Sequence, residues 1–500
     1  MNSKSLNKKN VLVYGAGEAG RQLVSSLKKN SEFKVIGFLD DNEKLHKKVI
    51  LNHNVYSPSK LQKMVSDRNV NLVFLAIPSI ARSRRNQIIK KLSKYKLNVK
   101  TLPSISEIID GRVTISDIKD LNIDDLLNRK QVEPDIKLLN KNINNKTVLV
   151  TGAGGSIGSE LCRQIIKLKP KKLLLLELNE FALYKIYEEL ITYGKNQKII
   201  SLLIDSQDQF KLEIVFESFK VDTVYHAAAY KHVPLVEENI CSGVKNNVFS
   251  TLAVVNASII KKVSNLVLIS SDKAVRPTNI MGASKRLAEL CMKGIYHNLK
   301  NKRINFSIVR FGNVLESSGS VIPKFKKQII DGGPVTLTHK DVTRYFMTIT
   351  EAAQLVIQAG AMGRNSEVFV LDMGKSIKIL DLVSKMINLL GFTVKDNKNL
   401  DGEIEIKIIG LRPGEKLYEE LLIGDNPQKT KHPKIIKIND PFLPFKELEK
   451  HLNDLKKLIY YNKSNEVKKL LIKLLKSYKS NSKIVDHIFV ENNLSKTTHN

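Results

Sequence analysis

Lys146-Thr-Val-Leu-Val-Thr-Gly-Ala-Gly-Gly-Ser-Ile-Gly-Ser-Glu160 is the stretch that decides the fold. An apolar run ends in glycines, and a helical pattern, Ser159-Glu-Leu-Cys-Arg-Gln-Ile165, follows at once. Strand, tight turn and helix in that order form a phosphate cradle. Glycines let backbone N–H groups close on a pyrophosphate that rests at the positive end of the helix. The next apolar run, Lys172-Leu-Leu-Leu-Leu-Glu177, ends in a carboxylate about 20 residues past the loop. Such a carboxylate accepts hydrogen bonds from both ribose hydroxyls and repels a 2′-phosphate. NAD is therefore the expected cofactor, with NADP as the alternative. Gly152, Gly155, Ser156, Ile157, Gly158 and Glu177 are its candidate contacts.

Working outward, the same opening occurs twice. Asn10-Val-Leu-Val-Tyr-Gly-Ala-Gly17 precedes a helical pattern and a second run, Lys34-Val-Ile-Gly-Phe-Leu-Asp40. Strands alternating with helices predict an α/β fold, with two doubly wound parallel-sheet domains in series. The first spans 8–130, with later strands at Asn71–Ile77 and Asn98–Leu102. A polar linker covers 131–145. The second domain covers 146–425, with strands at 198–204, 223–226, 266–269 and 306–310 and a substrate-binding part mostly within 311–425. Residues 426–500 read as a Lys/Asn-rich, solvated helical extension. In the first domain, Gly15, Gly17 and Gly20 with Asp40 form a second candidate nucleotide site. The alternative there is a structural or regulatory domain.

Composition narrows the class. The chain has 500 residues, and 42% are hydrophobic, enough to build cores and to exclude wholesale disorder. No apolar run reaches the ~18–20 uncharged residues of a membrane-spanning helix. The N-terminal residues carry no apolar signal segment, so a cytoplasmic protein, at most peripheral to the inner membrane, is expected. Cys162, Cys241 and Cys291 are far apart and form no metal-binding spacing, which predicts no metal. The formal charge of +31 is mostly lysine spread along the whole chain. It reads as a solvated surface rather than a nucleic-acid footprint, and it is compatible with a local pocket for phosphates.

The spacing Gly152-x-x-Gly155-x-x-Gly158 after Thr151 is the fingerprint of the short-chain dehydrogenase/reductase superfamily. That resemblance implies Asp205 at the adenine and Ala227, Ala228 and Ala229 along the cofactor. Ser270-Ser-Asp-Lys-Ala-Val-Arg-Pro-Thr-Asn-Ile-Met-Gly-Ala-Ser-Lys285 is the chemical core. Met281 and Lys285 lie one helical turn apart, so they share a face. The superfamily places its catalytic tyrosine and lysine at this spacing, and methionine cannot carry a proton.

More specifically, the chain resembles the CapD/WbpM-like polysaccharide-biosynthesis group, the UDP-N-acetylglucosamine 4,6-dehydratases. The residues concerned are TGAGGSIGSE at 151–160, HAAAYKHVPLVE at 226–237, SSDKAVRPTNIMGASKR at 270–286, VRFGNVLESSGSVIPKF at 309–325, DVTRYFMTITEA at 341–352 and LRPGEKLYEEL at 411–421. The resemblance implies a lyase acting on a UDP-sugar for surface-polysaccharide synthesis. Asp272 would be the acid, Lys273 the C5 base, Ser271 would orient the sugar, and Lys285 would anchor the nicotinamide ribose. For Lys273 to act as a base its pKa would have to be depressed. Arg344 and Arg412 suit the diphosphate. Lys231, Asn313, Lys324 and Glu415 match positions near the sugar nucleotide, and a homo-oligomer is expected. The methionine fits a branch marked by Ser-Met-Lys, which suggests retention at C5. Two departures are the missing N-terminal membrane helices and Glu316 in place of a glycine. The rival readings are a C5-inverting dehydratase or a 4-epimerase on the same scaffold. From another class, the rival is a non-catalytic NAD-binding regulatory or scaffold protein.

Overall fold

The computed structural model describes residues 8–28, 30–80, 82–95, 97–102, 119–120, 132–193, 197–315, 317, 319–397, 399–420, 427–480 and 483–497. The expected end of the first domain at 130, the start of the linker at 131, and Glu316 lie outside them. The chain divides into two compact units. One comprises 1–130 with 321–341 and 378–409, and the other comprises 131–320, 342–377 and 410–500. The division is therefore not the linear one read from the sequence, because two later segments belong with the N-terminal unit.

In that unit the described strands between residues 9 and 120 form a seven-stranded sheet, and Val335–Leu337, Ile404–Ile408 and Val394–Lys395 form a separate three-stranded one. Lys9–Tyr14 sits centrally, parallel to Phe33–Leu39 on one side and to Leu72–Leu75 on the other. Alternation along the first strand sends Val11 and Val13 into one apolar cluster and Leu12 and Tyr14 into another.

The second unit holds a nine-stranded sheet among its described residues. Its order is Lys198–Leu203, Lys172–Glu177, Thr147–Thr151, Thr223–His226, Asn265–Ile269, Asn305–Arg310, Glu367–Leu371, Ile435–Ile438 and Gln428–Lys429. The first seven run parallel. Both faces are covered, which explains the unbroken apolar runs. Val148, Val150, Leu173 and Leu175 enter one core with the helices Ser156–Lys167 and Ile349–Met362. Leu149, Leu174 and Leu176 enter the opposite core, with Gln209–Phe219 and Ser250–Ile260. The direction of winding reverses between Thr147–Thr151 and Thr223–His226. The crevice at their carboxyl ends is where such sheets bind ligands.

The expected linker contains a helix, Ile136–Lys141, capped by Asp135 and tied to Gln358 by the Asp135 amide. The C-terminal segment also differs from the solvated extension read from its composition. Ile435–Ile438 joins the sheet antiparallel to Glu367–Leu371. Leu448, Leu452 and Leu455 on the helix Phe445–Tyr460, and Val467 and Leu471 on Ser464–Leu474, are buried in one cluster with Met281, Leu287 and Cys291 of the helix Ile280–Asn298. The apolar stripes recur at helical spacing beneath the lysines and asparagines that dominate the count.

A buried charge cluster completes the join. Arg310, 0% exposed, donates to both oxygens of Glu289 at 2.8 and 2.6 Å. Asp440 lies 3.3 Å from Arg310 and accepts from Arg286 at 2.5 Å. Leu455 is fully buried, so Leu455→Ala should lower stability by ~2–5 kcal/mol in chemical denaturation. An unchanged denaturation midpoint would return this segment to the status of an appendage.

Candidate active site

The glycine loop takes its shape from sterics. Gly152 has φ +64°, and a Cβ there would meet the Ala228 nitrogen at 2.7 Å. A Cβ on Gly158 would run into the carbonyl oxygen of Gly152. The loop and the first turn of the helix Ser156–Lys167 thus pack without side chains between them. Gly155 is the N-cap and brings no side-chain cap, leaving the helix start to an anion from outside. Glu177 is oriented by backbone amides, accepting from Gly154 at 3.0 Å, Leu178 at 2.9 Å and Asn179 at 3.1 Å. Asp205 sits at the end of the neighbouring strand and accepts from the Gln207 amide at 2.9 Å. Ala227, Ala228 and Ala229 are half-buried at the end of Thr223–His226. An uncapped helix start, a loop closed to any Cβ and a fixed carboxylate fit a dinucleotide.

On the opposite side of the switch point, Asn265–Ile269 leads into the turn Asp272–Ala274. Ser271 shapes it. Its Oγ accepts from the Lys273 amide at 3.2 Å and donates to Asp272 Oδ1 at 2.9 Å. Asp272 is 0% exposed, and its Oδ2 has no hydrogen-bond partner among the described residues. Lys273 Nζ donates to Asp272 Oδ1 at 3.1 Å and to Asn313 Oδ1 at 3.2 Å. A buried aspartate with an orphan oxygen is no surface ion pair.

Glu419, which the sequence reading passed over, completes the group. Its Oε1 lies 3.9 Å from Lys273 Nζ and 3.7 Å from Arg344 Nε. Arg344 also donates to Glu415 at 3.1 Å. Desolvation holds Glu419 above the usual carboxylate range against the attraction of Lys273.

The expectation of a depressed pKa at Lys273 is corrected. Burial alone would lower it, but the charges of Asp272 and Glu419 outweigh burial and raise it. Burial does depress Lys285, to about 8. Lys285 Nζ donates to the Ile269 carbonyl at 2.6 Å, which fixes it beside the strand Asn265–Ile269. Met281, 3% exposed, lies in the apolar cluster with the C-terminal helices.

Two further residues escaped the sequence reading. Asn247, in a π-helical turn, donates to Ser284 Oγ at 2.9 Å and holds Tyr230 by both backbone groups. It thereby ties the Ala227–Ala229 loop to the helix bearing Lys285. His226 bridges Thr151 and Thr251, and burial followed by the charge of Lys285 keeps it neutral, with a pKa of about 3.

Lys231, though exposed along much of its length, has an ammonium group lowered by desolvation and by the charge of Lys273. Arg412 is exposed, and its amide donates to Glu415 at 3.3 Å. Lys324 belongs to the other unit, where its Nζ donates to Thr336 at 2.9 Å. Also in that unit, Ala16 donates to Asp40 at 2.7 Å, and Gly17 has open space where a Cβ would stand. Among the described residues no group of three or more His, Cys, Asp or Glu could hold a metal ion, and no helix is long and apolar enough to cross a membrane.

Residues 148–440 match the family described as "Polysaccharide biosynthesis protein". The chain belongs to that family. Residues 7–74 match a second description, "C2185-like, N-terminal". Among curated family relatives, the capsular polysaccharide biosynthesis protein CapD of Staphylococcus aureus is 42% identical over 84% of this chain and 69% of its own length. A UDP-N-acetylglucosamine 4,6-dehydratase (inverting) of Campylobacter jejuni is 30% identical over 57% of this chain and 80% of its own. The X-ray structure of Pen from Bacillus thuringiensis is 34% identical and superposes with a TM-score of 0.54, covering 60% of this chain and 91% of that one.

The depressed pKa of Lys285 carries a stability signature. Between about pH 8 and the ordinary lysine range the unfolded chain binds a proton that the folded one does not, so this residue makes stability rise with pH there. Chemical denaturation at pH 7.5 and pH 10 should show Lys285→Met gaining on the wild type as pH falls. A constant difference between the two proteins would contradict that.

Proposed function

We propose that this chain is a UDP-N-acetylglucosamine 4,6-dehydratase that works with NAD. The buried Asp272–Lys273 pair at a strand's carboxyl end, facing the crevice that fits a dinucleotide, carries the reading. A 4-epimerase needs a proton-carrying group where Met281 stands and has no use for this pair. A regulatory protein needs neither. The capsular and dehydratase names of the relatives support the same choice.

The glycine loop, Glu177, Asp205, Ala227–Ala229 and Lys285 would hold the dinucleotide. Bound NAD supplies one property, a hydride acceptor for C4 that later returns the hydride to C6. The protein's own residues move the protons. Asp272 takes the proton from the C4 hydroxyl, since Met281 has none to exchange. The C4 ketone makes the C5 hydrogen acidic, and Lys273 removes it as a free amine. Asp272 then delivers its proton to the C6 hydroxyl, and water leaves. Lys273 returns a proton to C5, giving a 4-keto-6-deoxy sugar with no net oxidation. Ser271 and Asn313 orient the sugar beside the pair, and Arg344 and Arg412 face the diphosphate. Met281 in place of tyrosine favours retention at C5. The inverting name of the Campylobacter relative favours the opposite outcome.

Incubation with UDP-N-acetylglucosamine and catalytic NAD, followed by NMR of the product, should give a UDP-4-keto-6-deoxy sugar whose C5 configuration chooses between the two. Unconverted substrate with a folded protein would sink the reading. Lys273→Ala should lose ~10²–10⁴-fold in kcat, the span of one positioned acid–base group. An unaltered rate would remove Lys273 from the mechanism.

A further inference from the structure

A base must be unprotonated, and Lys273 as folded is held protonated between two carboxylates. Asp272 cannot relieve it, because the same carboxylate must receive the C4 hydroxyl proton. The other neighbour is Glu419, whose Oε1 stands 3.9 Å from Lys273 Nζ. Its side chain is 3% exposed, and its Oε2 is buried with no hydrogen-bond partner among the described residues. A carboxylate that only neutralised a lysine would gain from solvating that second oxygen. Here the oxygen is left dry, an environment that favours the neutral acid.

We propose that Glu419 is the proton acceptor that frees Lys273 to act as the C5 base. This rests on the dehydratase reading above. The step is one proton transfer: the N–H bond of Lys273 breaks, an O–H bond forms on Glu419, and a charged pair becomes a neutral pair. The charged groups facing Glu419 are Lys273 and Asp272 from the catalytic turn, Arg344 from the strand Thr343–Arg344, and Lys416 from its own loop. Arg344 lies 3.7 Å away and helps to keep Glu419 ionised. A substrate diphosphate competes for that guanidinium, and the sugar covers what remains open around Lys273, whose side chain is 18% exposed. Both changes favour the neutral pair. After elimination Lys273 holds the C5 proton and returns it to C5. Glu419 then gives back its own proton as the product leaves, so the cycle balances.

Two measurements on wild type, Glu419→Gln and Glu419→Asp test this. The first needs no turnover. The rate of acylation of the Lys273 amine by a small reagent, followed across pH by peptide mass spectrometry, reports its free-amine fraction. Loss of the Glu419 charge should lower the midpoint by about one pH unit or more, and equal midpoints in wild type and Glu419→Gln overturn the inference whatever the substrate is. The second is kcat against pH with UDP-N-acetylglucosamine. Wild type should be flat through neutrality, because the proton is passed internally. Glu419→Gln should rise about tenfold per pH unit up to the new Lys273 midpoint, with KM little changed. Glu419→Asp, which keeps a carboxylate, should restore the flat profile at a lower kcat. An Asp variant as pH-dependent as the Gln variant, or a Gln variant as flat as wild type, overturns the proton transfer. A lowered midpoint in Glu419→Gln together with a wild type that converts no substrate overturns the dehydratase reading alone.

Discussion

The cluster of Arg310, Glu289, Arg286 and Asp440 is the constraint on which the rest of the second unit depends. Arg310 ends a central strand, and Glu289 and Arg286 sit on the helix that carries Lys285. Asp440 belongs to the segment that adds the antiparallel strand. Ser270, directly before Ser271, Asp272 and Lys273, also donates to Glu289 at 2.6 Å. Strand, helix and C-terminal segment therefore meet at buried charges. Such a cluster contributes little against a well-packed apolar alternative, yet removal of one partner typically costs about 3–5 kcal/mol. It links the strand before the turn bearing Lys273 to the helix bearing Lys285 through Ser270, Glu289 and Arg310.

The two lysines then experience burial differently. Lys285 has a carbonyl as its near partner and Glu289 as a more distant counter-charge, so desolvation wins and its pKa falls. Lys273 meets two carboxylates directly, so Coulomb attraction wins and its pKa rises. The same side chain, a short distance along the chain, is tuned in opposite directions by what lies within 4 Å of its nitrogen.

Much of this was legible beforehand. The alternation of Val148, Leu149 and Val150, the glycine spacing after Thr151 and the carboxylate at Glu177 are local signals, and the sheet follows from them. Asp272 and Lys273 were visible because they are adjacent in sequence. Glu419 was not, because its partners lie more than 70 residues away and a glutamate in a charged loop carries no mark of burial. Asn247 was hidden likewise, its role depending on Ser284 in a different helix. The C-terminal helices were misjudged for another reason: composition averages over all faces of a helix, while packing reads only one. The pKa of Lys273 needed a count of nearby carboxylates, which only the folded chain supplies.

The burial of Met281 and Cys291 against Leu455 and Leu471 has a consequence for synthesis. The helix bearing Lys285 leaves the ribosome about 170 residues before Leu455 does, which at ~5–20 residues per second is on the order of ten seconds. Through that interval its apolar side has no cover from the segment that later buries it. A nascent or truncated chain thus holds every residue of the turn Asp272–Ala274 while the helix beside it remains a surface open to chaperones and proteases. Cover for the helix bearing Lys285 therefore arrives only when the helices Phe445–Tyr460 and Ser464–Leu474 have been made.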